Sequence, residues 1–179
     1  MLNNQNNLSN LVTMDVIIES TIQTLKKAEV LLNSLGNSQL CDATVPPYYS
    51  SIGSHIRHIL DFYDCVLRGD GENTIDLTAR SRNKTVEADC DCALSYLNSI
   101  LQQLKNATFD NGKSILVLDD LGMGKTQIAY TFGALLAQAN SHTIHHYAII
   151  NYILDRLGVT VNDSDFGYNP TTPKQVAKG

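Results

Sequence analysis

This chain of 179 residues has no tryptophan and no run of basic residues. The first absence excludes nothing that bears on function. The second excludes a surface that tracks a phosphate backbone, and with a net charge of −5 no nucleic-acid partner is expected. No apolar run is long enough to span a bilayer, so no membrane association is expected either. The start, Met1-Leu2-Asn3-Asn4-Gln5-Asn6-Asn7, lacks the apolar centre of a signal peptide. Cysteine is sparse: Cys41, Cys65, Cys90 and Cys92 do not read as a disulfide framework in a domain of this size. Reduced thiols in a cytoplasmic protein are the expectation. There is no internal repeat, and low complexity is confined to the Asn-rich start.

What is present is helical periodicity. Residues 1–10 are expected as a disordered polar tail, and residues 11–179 as a single domain large enough for a real core. Ile18, Ile22, Leu25, Leu32 and Leu35 mark the buried side of a helix over Thr13 to Leu35, with Gly36 as its stop. Pro46-Pro47 keeps residues 37–49 in a loop. Ser50 or Ser51 caps a second helix that runs to about Arg68. Residues 70–84 read as a polar crossover, and a third helix follows from Val86 to Lys105. Two β-prone runs, Ser114 to Asp119 and Thr126 to Phe132, flank Gly122-Met123-Gly124 and predict a hairpin. A fourth helix spans Ala134 to Leu157, closed by Gly158, and an extended tail follows. The expected fold is therefore all-α: a four-helix bundle with a long crossover and a small β-hairpin insert before the last helix.

All five histidines fall in two clusters, His55-Ile56-Arg57-His58 and His142-Thr143-Ile144-His145-His146. On a helix His142 and His146 are four residues apart and project from one side, a spacing that lets two imidazoles grip one metal ion. They continue the apolar stripe of Leu135, Ala139, Ile149, Ile153 and Leu157, so they should face inward. His145 falls at the edge of that stripe. The bland alternative is a pair of core histidines hydrogen-bonded to other side chains. A third imidazole from the second helix would favour a metal site. Periodicity alone places His55 nearer the centre of that helix's apolar side and His58 toward its edge.

Gly124-Lys125-Thr126 imitates the end of a phosphate-binding loop. The expected glycine five residues before Gly124 is Asp119, and Asp119 and Asp120 would repel phosphates. The following residues are strand-like where that motif requires a helix. A hairpin turn is the preferred reading.

Ser51-Ile52-Gly53-Ser54-His55-Ile56-Arg57-His58-Ile59-Leu60-Asp61, followed much later by His142-Thr143-Ile144-His145-His146, resembles the DinB/YfiT-like superfamily. The resemblance runs from the first helix to about Tyr168. It implies a four-helix bundle, a homodimer, and a divalent metal held by one histidine of the second helix and an H-x-x-x-H pair of the fourth. On those positions the implied ligands are His58, His142 and His146, with His55 left as a core or supporting residue. Zinc and nickel are the first choices of metal. Relatives of this kind include thiol S-transferases and an isomerase that use low-molecular-weight thiols. The implied function is a metal-dependent transferase or hydrolase acting on a small molecule, with a thiol as possible cosubstrate. The alternative is a non-catalytic metal- or ligand-binding helical dimer. Thr143 stands where some relatives carry a glutamate, which argues against simple zinc-peptidase chemistry.

Three neutral imidazoles would leave a coordination position open. Asp61 and Asp64 are candidates for orienting a ligand histidine through its second nitrogen, with a solvated helix face as the alternative, favoured for Asp64. Arg57, Arg80 and Arg82 are candidates for lining the mouth of the site and attracting a carboxylate.

Overall fold

The computed structural model describes residues 3–69, 73–106 and 108–173, with side chains from residue 16 onward. In chain order the elements are α1 (Asn3–Ser34), a short α2 (Asn37–Leu40), α3 (Ile52–Arg68), β1 (Thr74–Asp76), a 3-10 turn (Lys84–Glu87), α4 (Cys90–Asn106), β2 (Ser114–Asp120), β3 (Lys125–Thr131) and α5 (Phe132–Leu157). Of the polar tail expected over residues 1–10, residues 1 and 2 lie outside the described residues, and the rest falls on the first turns of α1.

The all-α expectation is corrected by the sheet. Its strand order is β1-β2-β3, with β1 parallel and β2 antiparallel to its neighbour, so the fold is mixed α/β. Thr74, Ile75 and Asp76 pair with Leu116, Val117 and Leu118. Burial is the physical reason: Ile75 and Leu77 are almost fully enclosed, and the buried Ile115 and Val117 of β2 line the same core. The expected hairpin is present as β2 and β3, but the segment expected as a solvated crossover supplies a third strand.

The four long helices pack in a ring of neighbours. α1 lies against α4 and α5, and α3 lies against α4 and α5. Leu25, Leu31 and Leu32 of α1, Ile52, Ile56, Leu60 and Tyr63 of α3, Leu97 and Ile100 of α4, and Leu135, Tyr147 and Ile150 of α5 fill the interior. Each such side chain contributes roughly 1.5–3 kcal/mol by leaving water.

Local chemistry fixes the two helices that carry the histidines. Ser51 caps α3 by accepting from Ser54 N–H at 3.0 Å, as expected from its residue type. Thr131 caps α5 through Ala134 N–H at 3.2 Å, and the helix begins at Phe132, two residues before the expected Ala134. Gly158 ends α5 in the left-handed region at φ 67°, where a Cβ would be strained. Gly53 lets the 3-10 turn lie directly on α3, since a Cβ there would overlap the Glu87 carbonyl. The tail folds back over α5: Phe166 stacks on Tyr147 with ring centroids 4.7 Å apart, and Asp163 meets Lys27 of α1 at 2.6 Å. No helix among the described residues is long and apolar enough to cross a membrane.

Candidate metal centre

Where α3 packs on α5, imidazoles from both helices meet. His58 Nε2 lies 2.8 Å from His142 Nε2, and His146 Nε2 lies 3.1 Å from the same atom. The three ligand atoms all fall within 4.8 Å of one another. The rings meet edge to face, with His58–His142, His58–His146 and His142–His146 centroids at 5.0, 4.7 and 4.4 Å. Three nitrogens each about 2.0–2.1 Å from one ion are about 2.9–3.4 Å apart, depending on the angle at the metal. The separations of 2.8 and 3.1 Å lie just below and within that spread, so the donor set fits a first-row divalent ion after a small adjustment.

The rings are also in the protonation state a metal requires. Burial, with Arg80 next in effect, pushes His58 down to about 4. Burial and the neighbouring His142 push His146 down to about 3. Burial lowers His142 as well, and His55 likewise. Neutral imidazoles at neutral pH keep a lone pair free for coordination. All three residues are half-buried and none is fully enclosed.

His55 does not join the three but stands behind one of them. Its Nδ1 is 2.8 Å from His146 Nδ1, and its Nε2 is 2.9 Å from Ser50 Oγ. With His146 Nε2 directed at the cluster, His146 Nδ1–H donates to His55 Nδ1, which places the His55 proton on Nε2, donating to Ser50. Both imidazole protons on this line have an acceptor, and the ring orientation of His146 is held. The contest between His55 and His58 thus divides into two roles. The cluster sits in the groove between two helices, so the residue toward the edge of the α3 stripe reaches it.

Leu135, Ala139 and Ile153 of α5 are buried as expected, but between them the stripe runs one residue later, through Thr143, Tyr147 and Ile150 in place of His142, His146 and Ile149. His142 and His146 lie beside the buried Thr143 and Tyr147, and His145 is exposed. Thr143 faces the core and takes no part in the cluster. Asp61 does not orient a histidine. It is fully buried, and it accepts from Arg57 Nη1 at 2.8 Å, the Arg82 backbone N–H at 3.1 Å and the Tyr96 hydroxyl at 3.3 Å. Arg57 is equally committed, to Asp61 and to Glu87 at 2.6 Å. Asp64 pairs with Arg68 at 2.7 Å, and the Arg82 side chain is exposed. Arg80 alone of the three arginines reaches the cluster, with Nη1 3.4 Å from His58 Nδ1. Lys125 opens β3 and reaches Asp76 at 3.3 Å, so Gly124-Lys125-Thr126 is a hairpin turn leading into a strand. Sequence reasoning missed the role of Ser50 beyond capping. Its spacing of five from His55, across the start of α3, was the available signal.

No family model matches the chain, and no curated protein matches it. What fold and site define is a largely helical protein of mixed α/β architecture, with three histidines placed where they could hold a metal ion.

Proposed function

We propose that this protein is a metal-dependent enzyme of transferase or hydrolase type, acting on a small molecule at the His58, His142 and His146 cluster. The observation that carries this reading is the convergence of three Nε2 atoms from two helices, on residues that are half-buried and not enclosed. Three protein ligands are the usual complement of catalytic zinc sites, whereas structural sites close with four. The likeness of the two histidine segments to the DinB/YfiT-like superfamily supports the same assignment, and with it zinc or nickel as metal and a low-molecular-weight thiol as cosubstrate.

A divalent ion held here would act as a Lewis acid and lower the pKa of a thiol or water presented to it. The chain's own residues do the rest. His58 comes from α3, while His142 and His146 come from one side of α5, so the site exists only when the two helices are docked. The Ser50 and His55 line fixes the tautomer of His146. Phe62 packs against His142, centroid to centroid at 5.5 Å, and shields that ring from water.

Elemental analysis of the protein purified without added metal tests this. About one equivalent of a transition metal is expected, with a folded but metal-free protein after His142→Ala. A panel of electrophiles offered with several thiols then reads out the reaction. A wild-type protein that is fully folded and takes up no zinc or nickel ends the proposal.

A further inference from the structure

Arg80 stands out among the charged groups near the cluster. Ion pairs among the described residues use Lys27, Arg57, Arg68, Lys84 and Lys125, and Arg80 forms none with a carboxylate of the described residues. The residue is half-buried, and its Nη1 approaches a neutral imidazole, His58 Nδ1, at 3.4 Å. It is also held in place. The loop that carries it is tied to α3 by the Arg82 backbone N–H, which donates to the buried Asp61, with Arg82 itself at φ 54°. A guanidinium drawn out of water toward a neutral ring, with no anion beside it, gives up hydration without full return, and its planar fork suits a carboxylate or phosphate.

Proton accounting indicates when that partner arrives. Arginine only donates, so its contact with His58 needs a lone pair on Nδ1 and the proton on Nε2. Coordination through Nε2 reverses this, since a neutral ring must then carry its proton on Nδ1, facing another donor. The contact and a His58–metal bond therefore exclude each other. Two other charged groups are felt at the cluster: Arg57 acts on His58 in the same sense as Arg80, and Asp119 of β2 acts on His142 in the opposite sense.

Building on the metal-site reading above, we propose that Arg80 is the substrate-binding residue for an oxyanion, a carboxylate in the simplest case. Loading of the three histidines releases it from His58 to take up that anion. The substrate class is then a small anionic molecule. Its charged group sits on the planar guanidinium fork, and its reactive group sits at the cluster.

Zinc affinity, measured by chelator competition at pH 8 with and without acetate, tests this in wild type, Arg80→Met, Arg80→Gln and Arg80→Lys. Linkage requires that an anion bound only after Arg80 is freed tightens zinc in return. Acetate should tighten zinc in the wild type by about tenfold, the scale of one charge-assisted hydrogen-bonded pair. It should do so less in Arg80→Lys and not at all in the two neutral variants. Without acetate, the neutral variants should bind zinc as tightly as the wild type or more so. Sulfate run in parallel tells a tetrahedral oxyanion from a planar one, and a larger effect of either supports the proposal. An acetate effect that is equal in all four proteins overturns it. So does a tenfold loss of zinc affinity in both neutral variants, which would make Arg80 a support of the ligands. If wild-type protein binds no zinc, the metal reading falls and this proposal with it, an outcome distinct from zinc binding that ignores Arg80.

Discussion

Along one stretch of α5, Thr143 and Tyr147 turn into the core, while His142 and His146, each one residue earlier, turn toward α3. The core pair is closed. Thr143 Oγ1 lies 2.8 Å from Ala139 O and 3.3 Å from the Tyr63 hydroxyl, and the Tyr147 hydroxyl donates to Thr24 O at 3.1 Å. The histidine pair is open. Its Nε2 atoms face each other and His58, and three neutral imidazoles cannot all supply one another with complementary protons and lone pairs. Polar groups on the first face serve stability. Those on the second hold a demand that an added cation would meet. The two faces should therefore respond differently to acid, truncation and metal.

The largest expected difference is the response to acid. His58 and His146 are held at about 4 and about 3, and His55 and His142 are lowered too, each chiefly by burial. In the unfolded chain all four bind protons near the ordinary value of 6.5. Between about 6.5 and about 4 the unfolded state holds more protons, so stability falls as pH falls through that window and is level above it. Thermal unfolding of chelator-treated protein from pH 8 to 4.5 should show this decline, and His58→Gln/His146→Gln should flatten it. A melting temperature level from pH 7 to 4.5 in the wild type contradicts the burial of these rings as described.

Next is Tyr147→Ala. The ring is fully buried and stacked on Phe166, so its loss should cost about 3–5 kcal/mol, read from urea unfolding. Zinc affinity of whatever remains folded should be unchanged. A loss of zinc binding with little loss of stability would show that the two faces are not separable.

On the open face, His55→Ala should weaken zinc by about 10–100-fold, because His146 loses the group that fixes its tautomer. Stability should barely move. His55→Gln, whose amide oxygen can accept from His146 Nδ1–H, should recover part of the affinity. Equal zinc affinity in wild type and His55→Ala would remove His55 from any supporting role.

How much of this was legible in the sequence follows from the same contrast. Periodicity located α3 and α5, and residue type located their ends, since Ser51 and Gly158 do what their chemistry suggests. The i,i+4 histidines were visible because helix geometry is local. Strand β1 was not. Its three residues hold one buried side chain, Ile75, too few for a period, and its partner Val117 lies some forty residues on. Asp61 was misjudged for a related reason. Arg57 four residues before it was a visible partner, but the Arg82 N–H and the Tyr96 hydroxyl come from loops and helices that only the fold brings near. Which of His55 and His58 meets α5 also depended on packing between helices, not on either helix alone.

The smallest expected effect lies on the closed face, and its sign pattern is informative. Thr143 has one proton for two contacts. With that proton given to Ala139 O, the Tyr63 hydroxyl acts as donor to Thr143 Oγ1. Thr143→Val keeps the shape but leaves the Tyr63 hydroxyl buried without its acceptor, a cost of about 1–3 kcal/mol. Tyr63→Phe removes the donor, and Thr143 keeps its bond to Ala139, so that change should cost about 1 kcal/mol or less. The double variant removes the stranded hydroxyl and should be more stable than Thr143→Val alone. Urea midpoints of the four proteins close the cycle, and zinc affinity should be the same in all of them. Strict additivity would mean that the two hydroxyls do not serve each other, and that the core face of α5 is held by packing without this polar contact.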